Sequence, residues 1–232
     1  MLQWPREAPA LVRTFPSRSG RRKIETIEIM SKAQSSAAAQ KTAGTDKREV
    51  ILTAALDLFR HYGYRRTSME DIARAAAVAK GTLYLYFKSK DELFEAICRS
   101  LAEQVGEGVA RAEALDLPLE PKLTALMEAK LGFVYRWILS SPHAAELVDS
   151  GSRLSEDVFG EVYDRFYNAV RHLVRGGVAS GELDLNAVGL TEEATVDALI
   201  AAAYGAEKAP DEKMFHARLT AIIKLTLRGL RA

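Results

Sequence analysis

The fold class the sequence predicts is all-α, and three observations predict it. Apolar residues recur at three-and-four spacing from Val50 onward, the segments so marked begin at Ser or Thr with acids just behind, and no stretch alternates convincingly in the period-two manner of a strand. A chain of 232 residues with 48% hydrophobic content has enough apolar material for one large core or two modest ones. Cys98 is the single cysteine, so an internal disulfide is excluded; its place in the rhythm Leu93, Phe94, Ile97, Leu101 makes it a small buried hydrophobe in a reducing cytoplasm. No apolar run reaches the ~18 residues of a membrane span, and the start lacks a continuous apolar signal segment.

The net charge of +1 hides an uneven distribution. Residues 1–45 carry eight basic against three acidic residues, residues 46–100 ten against eight, and the remainder fourteen against twenty. An acidic remainder is repelled by phosphate, which orients the N-terminal part toward any polyanion. Residues 1–45, with Pro5, Pro9, Pro16, the run Arg21, Arg22, Lys23 and the tract SKAQSSAAAQKTAGT, show no sustained period and read as a disordered basic extension. Three readings of it stay open: an over-long reading frame whose true start is Met30, ahead of a Ser/Lys/Ala-rich leader; an arm that adds phosphate contacts or enters a minor groove; or a mitochondrial-type presequence.

The first helix shows Val50, Ile51, Ala54, Ala55, Leu58, Phe59 and Tyr62 on one face, and Gly63 closes it in the left-handed stop that glycine takes without steric cost. Thr67 and Ser68 are candidate N-caps of a second helix, each with an acid three residues on, Glu70 and Asp71. That helix buries Met69, Ile72, Ala73 and Ala76, and Val78 plugs the turn behind it. A third helix, from Ala79 to about Phe87, turns Leu83 and Phe87 inward and leaves Lys80, Thr82, Tyr84 and Tyr86 outward. Lysine neutralises phosphate, hydroxyls donate to phosphate oxygens, and a threonine methyl or tyrosine ring touches base edges, so this face suits a DNA major groove. Gly81 keeps the start of the helix thin, allowing close backbone approach.

These residues, above all KGTLYLYFKSKDEL from Lys80 to Leu93, resemble the DNA-binding domain of the tetracycline-repressor (TetR) family of bacterial transcription regulators. The resemblance covers Lys47 to Arg99. It implies that Ser68–Ala76 is a positioning helix and Ala79–Phe87 a recognition helix. Ser68, Tyr84, Tyr86 and Lys90 are then expected on phosphates, with Lys80, Gly81 and Thr82 nearest the bases. Two positions depart from the family pattern: Ala77 stands where a turn glycine is common, and Ala79 where a Ser cap is common. An alanine forced to positive φ costs on the order of 1 kcal/mol.

The organisation expected is an N-terminal three-helix helix-turn-helix domain over 46–92, with the extension 1–45 before it and a helical effector-binding and dimerisation domain over 93–232 behind it. A fourth helix starts at Asp91 and runs toward Leu115. Beyond Pro118 and Pro121, helices are expected over Leu123 to Leu139, around Pro142 to Val148, after Ser155 until Gly176 and Gly177, after Thr191, and from about Pro210. Met127, Phe133, Trp137, His143, Phe159, Tyr163, Phe166 and Tyr167 concentrate aromatic and soft side chains and are candidates for an apolar effector pocket with a few polar tips. The last two helices offer wide apolar faces, including Leu199 and Ala202 on one and Phe215, Leu219, Ile222, Ile223 and Leu227 on the other. In the resembled family the corresponding helices pair with their copies, and a two-fold dimer sets two recognition helices roughly 34 Å apart on a palindrome.

Neither a nucleophile beside a base, a glycine-rich phosphate loop nor a metal-ligand spacing among His61, His143, His172, His216 and Cys98 is legible, so no enzyme, cofactor or metal is expected. The expected protein is a cytoplasmic, ligand-responsive regulator, a repressor by the family's common outcome, that binds a palindromic operator as a homodimer and responds to an unidentified, largely apolar small molecule. Its rival is a helical, nucleoid-type protein that binds DNA without sequence preference.

Overall fold

The computed structural model describes residues 47–231; the basic extension read over 1–45 lies outside the described residues. The described residues form a small N-terminal head and a larger helical body. The head holds α1 (Lys47–Tyr62), α2 (Met69–Ala75) and α3 (Lys80–Tyr86), and α4 (Lys90–Glu113) runs from it into the body. The body adds α5 (Leu119–Met127), α6 (Ala144–Leu154), α7 (Glu156–Ala179), α8 (Glu192–Tyr204) and α9 (Glu212–Leu230). An isolated antiparallel bridge joins Leu183 to Arg231.

Local chemistry sets the ends of the head helices. Gly63 has φ +86° and its N–H returns to the Phe59 carbonyl at 3.0 Å, the left-handed stop predicted for it. Ser68 is the cap that operates at α2: its hydroxyl accepts from the Asp71 N–H at 3.2 Å while the Asp71 carboxylate accepts from the Ser68 N–H, also at 3.2 Å. Thr67, the other candidate, donates its hydroxyl to the Gly63 carbonyl at 2.8 Å. In the turn behind α2, Ala77 holds φ +52°, the left-handed geometry foreseen for it, and Ala79 caps α3 without a side-chain bond.

Two apolar clusters result. Head residues Ile51, Phe59, Ile72, Leu83, Phe87 and Phe94 enclose one, with the Tyr64 ring edge-on to Phe94 at 4.9 Å. Leu123, Met127, Phe166, Leu199, Phe215 and Leu219 belong to the other, and Tyr135 stacks on Phe215 at 4.6 Å. α4 carries Leu93, Phe94 and Ile97 into the first cluster and Val105, Val109 and Ala112 into the second. Cys98 is buried, and that burial pushes its thiol up to about 11, as suits an inert hydrophobe.

Three expectations change. α5 starts at Leu119, not Leu123, because Pro121 stands in the first turn, where no helical N–H is needed. The stretch to Leu139 is not one α-helix: Glu128–Gly132 and Tyr135–Leu139 are π turns, with the Phe133 N–H reaching back five residues to Glu128 and the Ser140 N–H five to Tyr135. Leu199, Phe215, Leu219, Ile223 and Leu227 do not face outward for a partner; all five are buried in the chain's own core, leaving Ala202 exposed and Ile222 half-buried.

Lys90, expected on a phosphate, is bonded within the chain. Its ammonium donates to the carbonyls of Tyr64 at 2.8 Å and Thr67 at 2.9 Å, and sits 4.4 Å from the centre of the Tyr64 ring. It clamps the α1–α2 turn to the start of α4, and its donors are occupied there.

Replacing Lys90 with Met keeps the stem and removes these bonds; stability to urea is expected to fall by about 1–2 kcal/mol, with no change in the salt dependence of DNA binding. Ala77→Gly relieves the positive φ and is expected to raise stability by about 1 kcal/mol. An unchanged urea midpoint in either variant contradicts the role given to that residue.

Candidate nucleic-acid interface

α3 is a two-turn helix fixed on one side only. Leu83 is fully buried and Phe87 nearly so, and the Phe87 N–H closes the helix on the Leu83 carbonyl at 3.0 Å. Four-residue pairs divide the rest of the surface: Lys80 with Tyr84, Thr82 with Tyr86, and Gly81 with Leu85. The last pair lies directly opposite Leu83. Leu85 is 77% exposed, more than Tyr84 or Tyr86 at 36% and 38%. Sequence reasoning placed the tyrosines outward and passed over Leu85, although 100° per residue from Leu83 sends position 85 to the far side. Leu85 therefore stands at the outermost point of this seven-residue helix.

Charge around this face is arranged by α2. Lys80 pairs with Glu70, whose carboxyl is held below its usual range by the Lys80 hydrogen bond first and by a backbone bond second. Arg74 is bound to Asp71, and Lys88 donates to the Tyr84 carbonyl at 3.1 Å. Gly81 is exposed, and a Cβ there would meet nothing within 4 Å, so its value is thinness rather than internal packing. Ser68 spends its hydroxyl on Asp71 at 2.6 Å, and Thr82 is half-buried beside the face.

The head is held to the body along one seam. Ser141 donates its hydroxyl to the Arg60 carbonyl at 2.7 Å, Arg60 Nη2 donates to the Arg136 carbonyl at 3.2 Å, and the Arg65 N–H donates to Glu146 Oε1 at 2.7 Å. The Arg60 guanidinium lies over Trp137 at 5.4 Å, and His143 Nε2 is 3.1 Å from the His61 carbonyl.

That seam takes two residues from the expected effector set, and the rest do not form one pocket. Trp137 and His143 serve the junction, Met127 and Phe166 are fully buried core, and Phe159 is exposed beside Gly151. Phe133 pairs with Trp137 at 6.2 Å and borders a small polar cleft of about 250 Å³ between α4 and the first π turn. Tyr163 and Tyr167 remain together, 6.1 Å apart on α7, and the Tyr163 ring lies 5.8 Å from the ammonium of a buried residue that sequence reasoning missed, Lys130. The signal for it was present: Leu123, Leu126, Met127 and Lys130 share one three-and-four stripe, so the lysine occupies a core position. Among the described residues no group of three His, Cys, Asp or Glu side chains is placed to hold a metal, and no helix is long and apolar enough to cross a membrane.

Residues 51–97 match the family model described as bacterial regulatory proteins, tetR family. The chain is 28% identical over 138 residues to the HTH-type transcriptional regulator YhgD of Bacillus subtilis, covering 60% of this chain and 72% of that protein. It is 29% identical over 172 residues to the probable HTH-type transcriptional regulator ArpR of Pseudomonas putida, covering 69% and 81%. A solved TetR/AcrR-family regulator from Thermobifida fusca superposes with a TM-score of 0.61 at 25% identity, over 81% of this chain and all of that one. The head is thus the helix-turn-helix domain of the TetR family of bacterial regulatory proteins, and head and body together share the fold of a solved TetR/AcrR-family regulator.

Proposed function

We propose that this regulator is a repressor that binds a palindromic operator as a homodimer and releases it when a small molecule occupies the body. The observation that carries the DNA-reading part is α3 itself: a short helix locked by Leu83 and Phe87, presenting Lys80, Gly81, Tyr84, Leu85 and Tyr86 to the outside. Gly81 and Leu85 face the base edges, Lys80 and Thr82 flank them, and the hydroxyls of Tyr84 and Tyr86 donate to phosphates on either side. Ser68 sits at the N-terminus of α2, where its N-cap position favours a phosphate nearby. Lys80 exchanges Glu70 for phosphate on binding, a trade between two exposed partners.

Dimerisation supplies the second half of a palindrome. Ala194, Ala198, Ala201 and Ala202 form an exposed stripe of small residues on α8, and Met214, Ala221 and Leu225 a second on α9, with Leu225 72% exposed. Ile222, half-buried, borders it. These are the outward sides of the helices whose inward sides fill the core, and small residues permit close approach by a copy.

Selection from random duplexes with the purified chain near physiological salt tests the reading. Enrichment of a two-fold symmetric motif is expected; retained binding without enrichment, and with steep loss of affinity as salt rises, makes it a non-specific binder instead. Against the selected operator, Leu85→Ala is expected to change the ranking of sites mutated within a half-site, whereas Tyr84→Phe should weaken all sites alike, by about fivefold for one lost phosphate bond. Equal weakening of every site by Leu85→Ala removes it from base contact. Leu225→Glu is expected to halve the mass seen by light scattering and to weaken the full palindrome far more than a single half-site; an unchanged mass removes this face from the interface.

A further inference from the structure

Lys130 is the one lysine whose whole side chain is taken into the core of the body among the described residues. It stands on the first π turn, and its ammonium donates to the Tyr204 hydroxyl at 2.7 Å. Three rings surround it, with centroids at 4.9 Å for Tyr204, 5.2 Å for Phe166 and 5.8 Å for Tyr163. No carboxylate of the described residues comes within 4 Å of it. Glu207, the acid that interacts with it electrostatically, is itself buried, so burial pulls the lysine down to about 8 and pushes the glutamate up to about 7.

An ammonium has three donors and this one places a single bond within the chain. Ring faces offset part of the cost of taking the charge out of water but offer no acceptor for the other protons. A buried cation with no carboxylate in contact, faced by the half-buried Tyr163 of α7 with Tyr167 next to that ring, is chemistry that recognises an anion carried on an apolar body. We infer that Lys130 with the Tyr204 hydroxyl forms the polar end of the effector site and takes an organic carboxylate whose apolar portion lies along Tyr163 and Tyr167.

The inference deepens the proposed ligand response and rests on it. Cationic ligands, which aromatic rings would otherwise favour, are excluded because the Lys130 ammonium already occupies the ring faces. Six residues further along the same helical run, Arg136 receives the Arg60 hydrogen bond from the head, so an anion drawn to Lys130 acts on the segment that carries the seam. Glu207, with its carboxyl raised to about 7 by burial, is partly neutral near physiological pH, which lessens its repulsion of the incoming carboxylate.

The test uses the full chain with three probes of equal length below their micelle concentrations: decanoate, decanol and decyltrimethylammonium. Calorimetric titration is expected to give decanoate at least about tenfold tighter binding than decanol, the size of one charge-assisted bond, and no binding of the cation. Decanoate should also release the selected operator. In Lys130→Met, which removes a buried charge and keeps the apolar stem, the preference for decanoate over decanol is expected to vanish while operator binding persists. Tyr204→Phe keeps charge and ring but loses the hydroxyl, and is expected to reduce the preference without abolishing it. Equal affinity of the wild-type chain for decanoate and decanol, tighter binding of the cation, or an undiminished preference in Lys130→Met overturns the inference. The wild-type series decides the matter if Lys130→Met does not fold. A palindrome found without anion preference defeats this inference alone; anion binding without a specific operator defeats the regulator reading alone.

Discussion

Gly63 holds a backbone conformation that a side chain would strain, in a place where a side chain would displace the Glu146 carboxylate. At φ +86° it ends α1, and a Cβ there would stand 2.5 Å from Glu146 Oε2 and 3.2 Å from His143 Nδ1. Both constraints act on one residue because the turn out of α1 is also the point at which the body touches the head. The residues that follow, Tyr64 to Ser68, are then fixed from three directions: the Lys90 ammonium below, the Glu146 carboxylate beside Arg65, and the cap of α2 ahead. α2 and α3 inherit their position from that turn. A DNA-reading surface set in this way is a product of the whole head and of its attachment, not of the recognition helix alone.

The body solves a different problem. Its core is dense around Phe166, Phe215 and Leu219, yet it accepts a lysine and a glutamate whose ionised forms burial opposes. Both π turns fall on the segment that carries Lys130 and then reaches the seam through Arg136 and Trp137. A π turn adds a residue per turn and rotates everything after it. The register that presents Lys130 to the tyrosines is therefore linked to the register that presents Arg136 to Arg60. His216, bonded to Glu128 at 2.6 Å, and Arg136, paired with Glu212 at 2.8 Å, tie the same segment to α9 on its outer side.

Much of the head was legible in the sequence because its determinants are local. A glycine stop, a Ser–Asp capping box and the Leu83–Phe87 pair each act within four residues, and the left-handed turn at Ala77 was expected from the resembled family, in which a glycine is common at that position. The intrachain bonds of Lys90 were not legible because its partners lie more than twenty residues away on backbone carbonyls, which have no signature in a sequence. The apolar stripes of α8 and α9 were real, but periodicity shows that a face is buried without saying whether against the same chain or a copy; Leu199, Phe215 and Leu227 went to the former. The aromatic set between 127 and 167 failed as a single pocket because it spans four elements with different destinations, among them the seam, which took Trp137 and His143. Lys130 was hidden by its type, since lysine on a helix is ordinarily a surface residue.

α3 has seven residues and an alanine at its N-cap, too short and too weakly capped to persist as an isolated helix in water. Its existence depends on Leu83 and Phe87 remaining seated in the head cluster, which α4 shares with the body's own, separate cluster. Recognition is thus confined to temperatures and solvent conditions under which the smaller of the two cores survives. A chain whose body is still helical and compact can already be blind to its operator, so bulk helicity is no gauge of regulatory competence.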